Sequence, residues 1–375
     1  MKSTNKMLVM LEELVNIDSG TYDKVGVDKV GAYLIKCYEE LNFNITEHPN
    51  DTFGNNLVLT HKDADQPEIL ILAHMDTVFP KGTVAERPYT SEGNYAYGPG
   101  VIDMKASHVM LYHAIKKLIE QDDNSYKNIE ILLNSDEEIG TISSRNLIES
   151  QAKNKKYTLV LEPARVDGSI VSSRRGVGSY TLEATGKAAH AGIEPEKGIS
   201  AIQELALKIP KLHALTEQEN NLNVTVGMIE GGTSANTVAG KANATIDVRI
   251  STVKQGEYID QKIKELCEKS EVEGVSLKLT GGINRPPMAF TEEIGEVVAL
   301  IQKEASELGI DLNHVATGGG SDASFTAALN IPTVDGLGPV GGKQHSEEEY
   351  LEIDSLLPRT ELFVNILSKL DGNNR

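Results

Sequence analysis

The sequence has no tryptophan, only two cysteines among 375 residues, and no apolar run long enough to span a membrane. Cys37 and Cys267 lie far apart in the chain and match no metal-binding or redox spacing, so we expect both to be packing residues in a reducing compartment. The apolar residues of the N-terminal segment follow a helical period, and no small-residue cleavage site comes after them. We therefore expect a cytoplasmic protein that is not bound to a membrane.

Basic residues are also scarce. Lys and Arg total 36 against 55 Asp and Glu, which gives a net charge of -19, and no dense basic cluster is visible. A nucleic-acid-binding surface needs such a cluster to neutralise phosphates, so nucleic acid is excluded as a partner. The length exceeds that at which a single core usually stops growing, and this favours two domains.

Four apolar runs before residue 175 predict strands: EILILAH (68–74), NIEILLN (128–134), YTLVLEP (157–163) and GSIVSSR (168–174). Helical patterns occur at the N-terminus, near residues 26–41 and from about Ala106. Strands that alternate with helices predict an α/β domain with a largely parallel central sheet.

The pattern changes at Gly176. From there the order is strand, helix, strand, strand, helix and strand, which is the βαββαβ order of a ferredoxin-like α+β module. After Pro286 and Pro287 the chain returns to helix, short strand, glycine-rich turn and final helix. We therefore predict a discontinuous catalytic domain, residues 1–174 and 287–375, with an inserted domain at 175–286.

Polar side chains that suit metal binding follow several apolar runs. They are His74, Asp76, Asp103, Glu138, Glu162 and His345. Each of them alone is more typical of a surface or packing residue, but their recurrence at predicted strand ends favours a common site. Histidine nitrogen and carboxylate oxygen are ligands of zinc, and a pair of zinc ions needs one bridging carboxylate, for which Asp103 is the candidate.

His74 and Asp76 are two residues apart, so in a strand they would point to the same face. The Asp76 carboxylate can then accept the second imidazole N–H and fix the tautomer of a ligating histidine. The alternative interpretation is a solvated turn residue.

The ordered series HMDTVFPKGT, YGPGVIDMK, LLNSDEEIG, LEP, TGKAAHAG, TGGGSDA and QHS resembles the co-catalytic zinc peptidase superfamily of glutamate carboxypeptidase, acetylornithine deacetylase and succinyl-diaminopimelate desuccinylase. Within that superfamily the sequence is most similar to bacterial glutamate carboxypeptidase. The resemblance implies one zinc held by His74, Asp103 and Glu162 and a second held by Asp103, Glu138 and His345, with Glu137 as general base. Such sites also accept Co²⁺ or Mn²⁺.

The resemblance further implies that the inserted module forms a homodimer. His190 and Asn236 match residues that reach the partner's active site and hold the scissile carbonyl oxygen, and Arg249 is a third polar candidate in this module. Arg285 matches an arginine that binds the substrate carboxylate, and Gly319 and Gly320 offer backbone N–H groups to the same carboxylate. The alternatives are a loop histidine, surface arginines and ordinary turn glycines.

Together these features predict a metal-dependent hydrolase that cleaves the amide bond of small peptides or N-acyl amino acids with a free carboxylate. The resemblance implies a metal-bridged water as the attacking group. A tripeptidase-type aminopeptidase and an amino-acid deacylase are alternatives within the class. A non-catalytic binding protein and a single-metal structural site are alternatives outside it.

The stretch NSDEEIG places three acids in succession. In an extended strand end, neighbouring side chains face opposite ways, which would let Glu138 bind zinc while Glu137 faces the water. For Asp136 we expect a helix cap at the start of IGTISSRNLIES.

Overall fold

A computed structural model of the protein describes residues 2–372. The chain divides into two compact units. One contains the N-terminal part up to Ser173, Phe290–Thr317 and the chain from Ser321 onward, and the other contains Arg174–Ala289 with Gly318–Gly320. No helix within residues 2–372 is long and apolar enough to cross a membrane.

The first unit opens with helices and strands up to residue 174. The helices are α1 (Lys2–Val15), α2 (Lys24–Glu40), α3 (Thr83–Glu86), α4 (Ala106–Glu120) and α5 (Arg145–Ala152). The strands are β1 (Phe43–His48), β2 (Asn56–His61), β3 (Ile69–His74), β4 (Thr90–Glu92), β5 (Tyr95–Tyr97), β6 (Ile129–Asn134), β7 (Tyr157–Val160) and β8 (Ile170–Arg174). The four predicted strands are present, but β1, β2, β4 and β5 were not predicted.

The second unit contains two helices and a four-stranded antiparallel sheet. Its elements are β9 (Gly176–Thr185), β10 (Ala189–His190), α6 (Ala201–His213), β11 (Asn223–Gly231), β12 (Thr237–Val238), β13 (Lys241–Ile250), α7 (Val253–Glu268) and β14 (Ser276–Arg285). The main sheet has the order β11-β13-β9-β14, and β10 pairs with β12 beside it. Alternate residues of β9 and β13 are buried and form the core of this unit with one face of each helix.

The chain then completes the first unit. The remaining elements are α8 (Glu292–Glu307), β15 (His314–Thr317), α9 (Ala323–Ala327), β16 (Thr333–Val334), β17 (Gly341–Gly342), β18 (Tyr350–Glu352) and α10 (Ile353–Gly372). A small antiparallel sheet has the order β17-β18-β5-β4. It holds the segment that contains His345 between β17 and β18.

The central sheet of the first unit is mixed, in the order β1-β2-β6-β3-β7-β16. β6, β3, β7 and β16 run parallel, whereas β1 and β2 join antiparallel at one side. Every residue of β3 and β6 is buried, as expected for parallel strands that are covered on both faces. The carboxyl ends of β3, β6 and β7 therefore meet at one edge of the sheet.

Candidate metal centre

Three of the five predicted ligands follow the ends of these three parallel strands. His74 is the last residue of β3, Glu138 follows β6 after a short turn, and Glu162 lies two residues beyond β7. Asp103 comes from the irregular segment before α4, and His345 comes from the segment before β18. Sites at the carboxyl edge of parallel sheets arise from this arrangement, because the strands deliver their following residues to one place.

The structure brings the five residues into two groups of possible metal ligands that share Asp103. In the first group, the His74 Nε2 lies 3.1 Å from Asp103 Oδ1 and 3.8 Å from Glu162 Oε1. In the second group, the His345 Nε2 lies 3.4 Å from Asp103 Oδ2 and 3.1 Å from Glu138 Oε2. The two oxygens of Asp103 thus face different histidines, which is the geometry expected of a bridging carboxylate.

These groups pack three carboxylates against two imidazoles, and the pKa values of their members are strongly shifted. Burial and the nearby charge of Asp103 raise the pKa of Glu162 well above its usual value. Hydrogen bonds with Asp103 and Glu138 raise the pKa of His345 to about 10. Burial opposes ionisation of Asp103, yet its hydrogen bonds with His345 and His74 lower the pKa of the carboxyl group. Cations at this place would offset the surplus of carboxylates.

An orphaned atom supports the same conclusion. Within the part of the chain that the structure describes, the Oε1 of Glu138 is buried and accepts no hydrogen bond. A buried carboxylate oxygen without a partner is costly, and a metal ion would provide one. The donor set of two imidazoles and three carboxylates fits a pair of divalent ions that take nitrogen and oxygen ligands.

Asp76 supports the site differently from the prediction. The His74 Nδ1 is 2.9 Å from the backbone oxygen of Asp76, and 3.5 Å from its carboxylate. The carboxylate itself is fully buried and accepts hydrogen bonds from the Thr21 hydroxyl at 2.7 Å and from the backbone N–H groups of Glu137 and Glu138 at 3.2 and 3.3 Å. Asp76 is therefore no solvated turn residue, and it orients the DEE segment as well as the histidine.

The prediction for the DEE segment was wrong in two respects. Residues Glu137–Ile139 form a 3-10 turn rather than an extended strand end, so opposite side-chain directions do not follow from strand geometry. Asp136 is fully buried, and the predicted helix, α5, begins later and has Ser144 rather than Asp136 as its N-cap residue. Its carboxylate instead accepts the backbone N–H of Ser143 at 2.6 Å and the hydroxyl of Ser144, immediately before α5.

Two further carboxylates, missed at the level of sequence, hold the segments of the site. The buried Asp322 accepts hydrogen bonds from the Asn134 amide at 2.7 Å and from the Thr141 hydroxyl, on either side of the DEE turn. The buried Glu349 accepts backbone N–H groups of the segment that carries Asp103. Asp322 lies in the TGGGSDA motif, and Glu349 follows the QHS motif. Their position in or near these motifs was the only sequence feature that could have indicated a role at the site.

The second unit contains all the other predicted site residues. His190 and Asn236 are both exposed. They are brought together by the pairing of His190 with Thr237 between β10 and β12, and the backbone N–H of Ala191 donates to the backbone oxygen of Asn236 at 2.8 Å. The structure thus brings these two polar side chains to the same end of the unit.

Arg249 and Arg285 lie beside the glycine segment Gly318–Gly320 of the same unit. Arg249 forms a two-pronged ion pair with Asp247 and donates to the Gly318 oxygen at 3.2 Å. Arg285 is buried, and a Cβ at Gly320 would lie only 2.9 Å from its Cδ, so a side chain at this position would force the arginine to shift. Arg174, which had not been predicted, donates to the Gly319 oxygen at 3.1 Å.

Comparison with known proteins gives matches over almost the whole chain. Carboxypeptidase G2 of Pseudomonas sp. (strain RS-16) is 31% identical over 357 residues, which cover 93% of this chain and 85% of that protein. Succinyl-diaminopimelate desuccinylase of Dechloromonas aromatica is 27% identical and covers 90% and 92% of the two chains. The solved structure of aminopeptidase PepT from Bacillus cereus aligns with a TM-score of 0.79 at 25% identity, over 98% and 99% of the two chains.

The fold and the paired ligand groups define a metal-dependent hydrolase with an α/β catalytic unit. The chain matches Peptidase family M20/M25/M40 over residues 70–369, and it belongs to that family. The predicted resemblance to the carboxypeptidase and desuccinylase superfamily is confirmed.

Proposed function

We propose that the protein is a two-zinc exopeptidase that removes a C-terminal residue, after the manner of glutamate carboxypeptidase, from small peptides or N-acyl amino acids. The single observation that supports this most is the sharing of Asp103 by two ligand groups. The identity to carboxypeptidase G2 favours a carboxypeptidase over the other members of the family.

One zinc would be held by His74, Asp103 and Glu162, and the other by Asp103, Glu138 and His345. When bound, the ions would lower the pKa of a water molecule and polarise the scissile carbonyl. Glu137 is half-buried, and its charge contributes to the raised pKa of Glu162, so its carboxylate lies within electrostatic reach of the first ligand group.

From that position the Glu137 carboxylate takes a proton from the attacking water and returns it to the leaving nitrogen. The role of Asp76 is to hold the N–H groups of Glu137 and Glu138, so that base and ligand keep a fixed separation. His74 keeps its Nε2 directed at the ligand group, because its Nδ1 is occupied by the Asp76 backbone oxygen.

Each unit contains candidate substrate-binding residues of its own. A largely apolar cavity of about 400 Å³ borders Glu138 and can take a substrate side chain. Its lining includes Tyr22, Val78, Phe79, Pro80 and Ile139, together with the charged Asp23 and Lys81. In the second unit, Arg249, Arg285, Gly319 and Gly320 would bind the substrate carboxylate. His190 and Asn236 would reach the active site of the partner in a homodimer and donate hydrogen bonds to the carbonyl oxygen as negative charge develops on it.

We further propose that residues 175–286 are a ferredoxin-like dimerisation domain of a cytoplasmic homodimer. The strand order of the second unit supports the ferredoxin-like topology. β11 is an edge strand of that sheet, and Met228 and Ile229 on it are 59% and 52% exposed. Exposed apolar residues on an unpaired sheet edge are typical of a surface that pairs with a second copy.

The test is hydrolysis by protein loaded with Zn²⁺, Co²⁺ or Mn²⁺, measured on C-terminal glutamyl peptides, tripeptides and N-acetyl amino acids. Release of the C-terminal residue is the expected result. Removal of the N-terminal residue of tripeptides would instead indicate an aminopeptidase, and cleavage confined to acetyl compounds would indicate a deacylase. Either result would overturn the carboxypeptidase proposal, and hydrolysis of none of them would overturn the function as a whole.

A further inference from the structure

The second group of possible metal ligands depends on two loops of the chain, and the side chain of Glu349 connects these loops. The Asp103 loop, residues 98–105, carries the shared ligand. The His345 loop, residues 343–349, carries the histidine of the second group. Glu349, the last residue of the His345 loop, is fully buried and directs its carboxylate into the Asp103 loop.

The carboxylate of Glu349 accepts three backbone hydrogen bonds. Oε1 accepts the N–H groups of Ile102 at 2.9 Å and Asp103 at 3.0 Å, and Oε2 accepts the N–H of Gly100 at 3.2 Å. These N–H groups belong to a segment in which Asp103 has non-helical backbone angles, so they donate to a side chain rather than within a regular helix. The direction of the Asp103 side chain is thus set in part by Glu349.

The same residue anchors the other loop. His345 adopts a positive φ of 62°, an uncommon conformation for a residue with a side chain, so this loop must be held by its surroundings. The N–H of Glu349 donates to the Ser346 oxygen at 3.2 Å, and the next residue, Tyr350, pairs with Tyr97 between β18 and β5. Glu349 therefore connects a fixed strand, the His345 loop and the Asp103 loop.

We propose that Glu349 is a positioning residue that keeps Asp103 and His345 at the separation required for the second metal. The inference rests on the two-metal centre of the proposed function, and it assigns a role to a residue that binds neither metal nor substrate. The first metal group also contains Asp103, but its His74 and Glu162 follow β3 and β7 and do not depend on the His345 loop. Loss of Glu349 should therefore weaken the second site more than the first.

The deciding variant is Glu349→Gln in the full-length protein. Glutamine keeps one oxygen for the N–H groups of Ile102 and Asp103, but its amide nitrogen cannot accept the Gly100 N–H. Glu349→Ala removes all three acceptors and gives the larger change if it folds. Glu347→Gln is the matched control, because it removes one exposed negative charge from the same loop.

The measurement is stepwise Zn²⁺ affinity by chelator competition on metal-free protein, together with the visible spectrum after Co²⁺ loading and the melting temperature without metal. We expect Glu349→Gln to lower the affinity for the second equivalent by about tenfold or more and to change the cobalt spectrum, with the first equivalent much less affected. Glu347→Gln should match the native protein.

Three results would overturn the proposal: native affinities for both equivalents in Glu349→Gln, an equal loss at both sites, or a lower melting temperature with unchanged metal binding. The last would show that Glu349 serves stability alone. None of these readouts uses a substrate, so absence of hydrolysis by the native protein would count against the proposed function and leave this test intact.

Discussion

Replacement of Asp76 by asparagine should lower activity without removing a metal ligand. In the native protein, Oδ1 accepts the N–H of Glu137, and Oδ2 accepts the N–H of Glu138 and the hydroxyl of Thr21. Asparagine keeps only one oxygen, and the other position becomes a donor. The Thr21 hydroxyl can rotate and accept, but one of the two backbone N–H groups must then face another donor.

The size of the effect follows from that unpaired group. A buried donor left without an acceptor costs the folded protein about 1–3 kcal/mol, and a shift of the Glu137 turn that relieves this cost displaces the base. A misplacement of about 1 Å can cost about 10²-fold in rate. We therefore expect kcat/KM of Asp76→Asn to fall roughly tenfold to a hundredfold. At saturating zinc the protein should still bind two equivalents, because all five ligands are unchanged.

The assay compares native protein, Asp76→Asn and the control Asp65→Asn, which removes an exposed carboxylate at the surface of the same unit. Steady-state hydrolysis, bound zinc and the thermal melting temperature are measured on each. Activity of Asp76→Asn within twofold of native, at full zinc content, would refute the reasoning. An equal loss in Asp65→Asn would attribute the effect to net charge instead.

Three other changes test separate parts of the molecule. Glu137→Gln should reduce kcat by about 10²- to 10⁴-fold with zinc content unchanged, and near-native kcat would remove Glu137 from the role of base. Burial, with lesser effects of nearby lysines, lowers the pKa of His113 to about 4 from 6.5, so as pH falls through this range the unfolded chain gains a proton there first. The free energy of unfolding should fall by roughly 1–2 kcal/mol between those pH values, after allowance for solvent screening of this partly exposed ring, and urea titrations of His113→Gln should show a smaller fall. The double change Met228→Lys and Ile229→Lys should halve the mass measured by light scattering, and an unchanged mass would exclude β11 from the dimer interface.

The central strands could be predicted from sequence because burial on both faces leaves a continuous apolar run, as in β3 and β6. β1 could not be predicted in this way, because it is an edge strand in which only Phe43 is fully buried, so it has no continuous apolar run. Its extended conformation depends on its pairing with β2. The candidate metal ligands were predicted from the order of the motifs. The order of the motifs indicates which residues come together, but it contains no information on local backbone conformation. The 3-10 turn that begins at Glu137 was therefore not predicted.

The hydrogen bonds by which carboxylates hold the backbone of the site could not be found by the same reasoning, for a physical reason. Asp76, Asp136 and Glu349 all accept hydrogen bonds from backbone N–H groups, which every residue except proline offers. Metal binding restricts the residue type at each ligand position, so candidate ligands can be recognised in a sequence. A backbone N–H donor can belong to almost any residue, so its sequence does not show which carboxylate it contacts. In NSDEEIG, three adjacent acids therefore look alike until the chain is folded, when Asp136 binds the turn before α5 while the backbone of its two neighbours is held by Asp76.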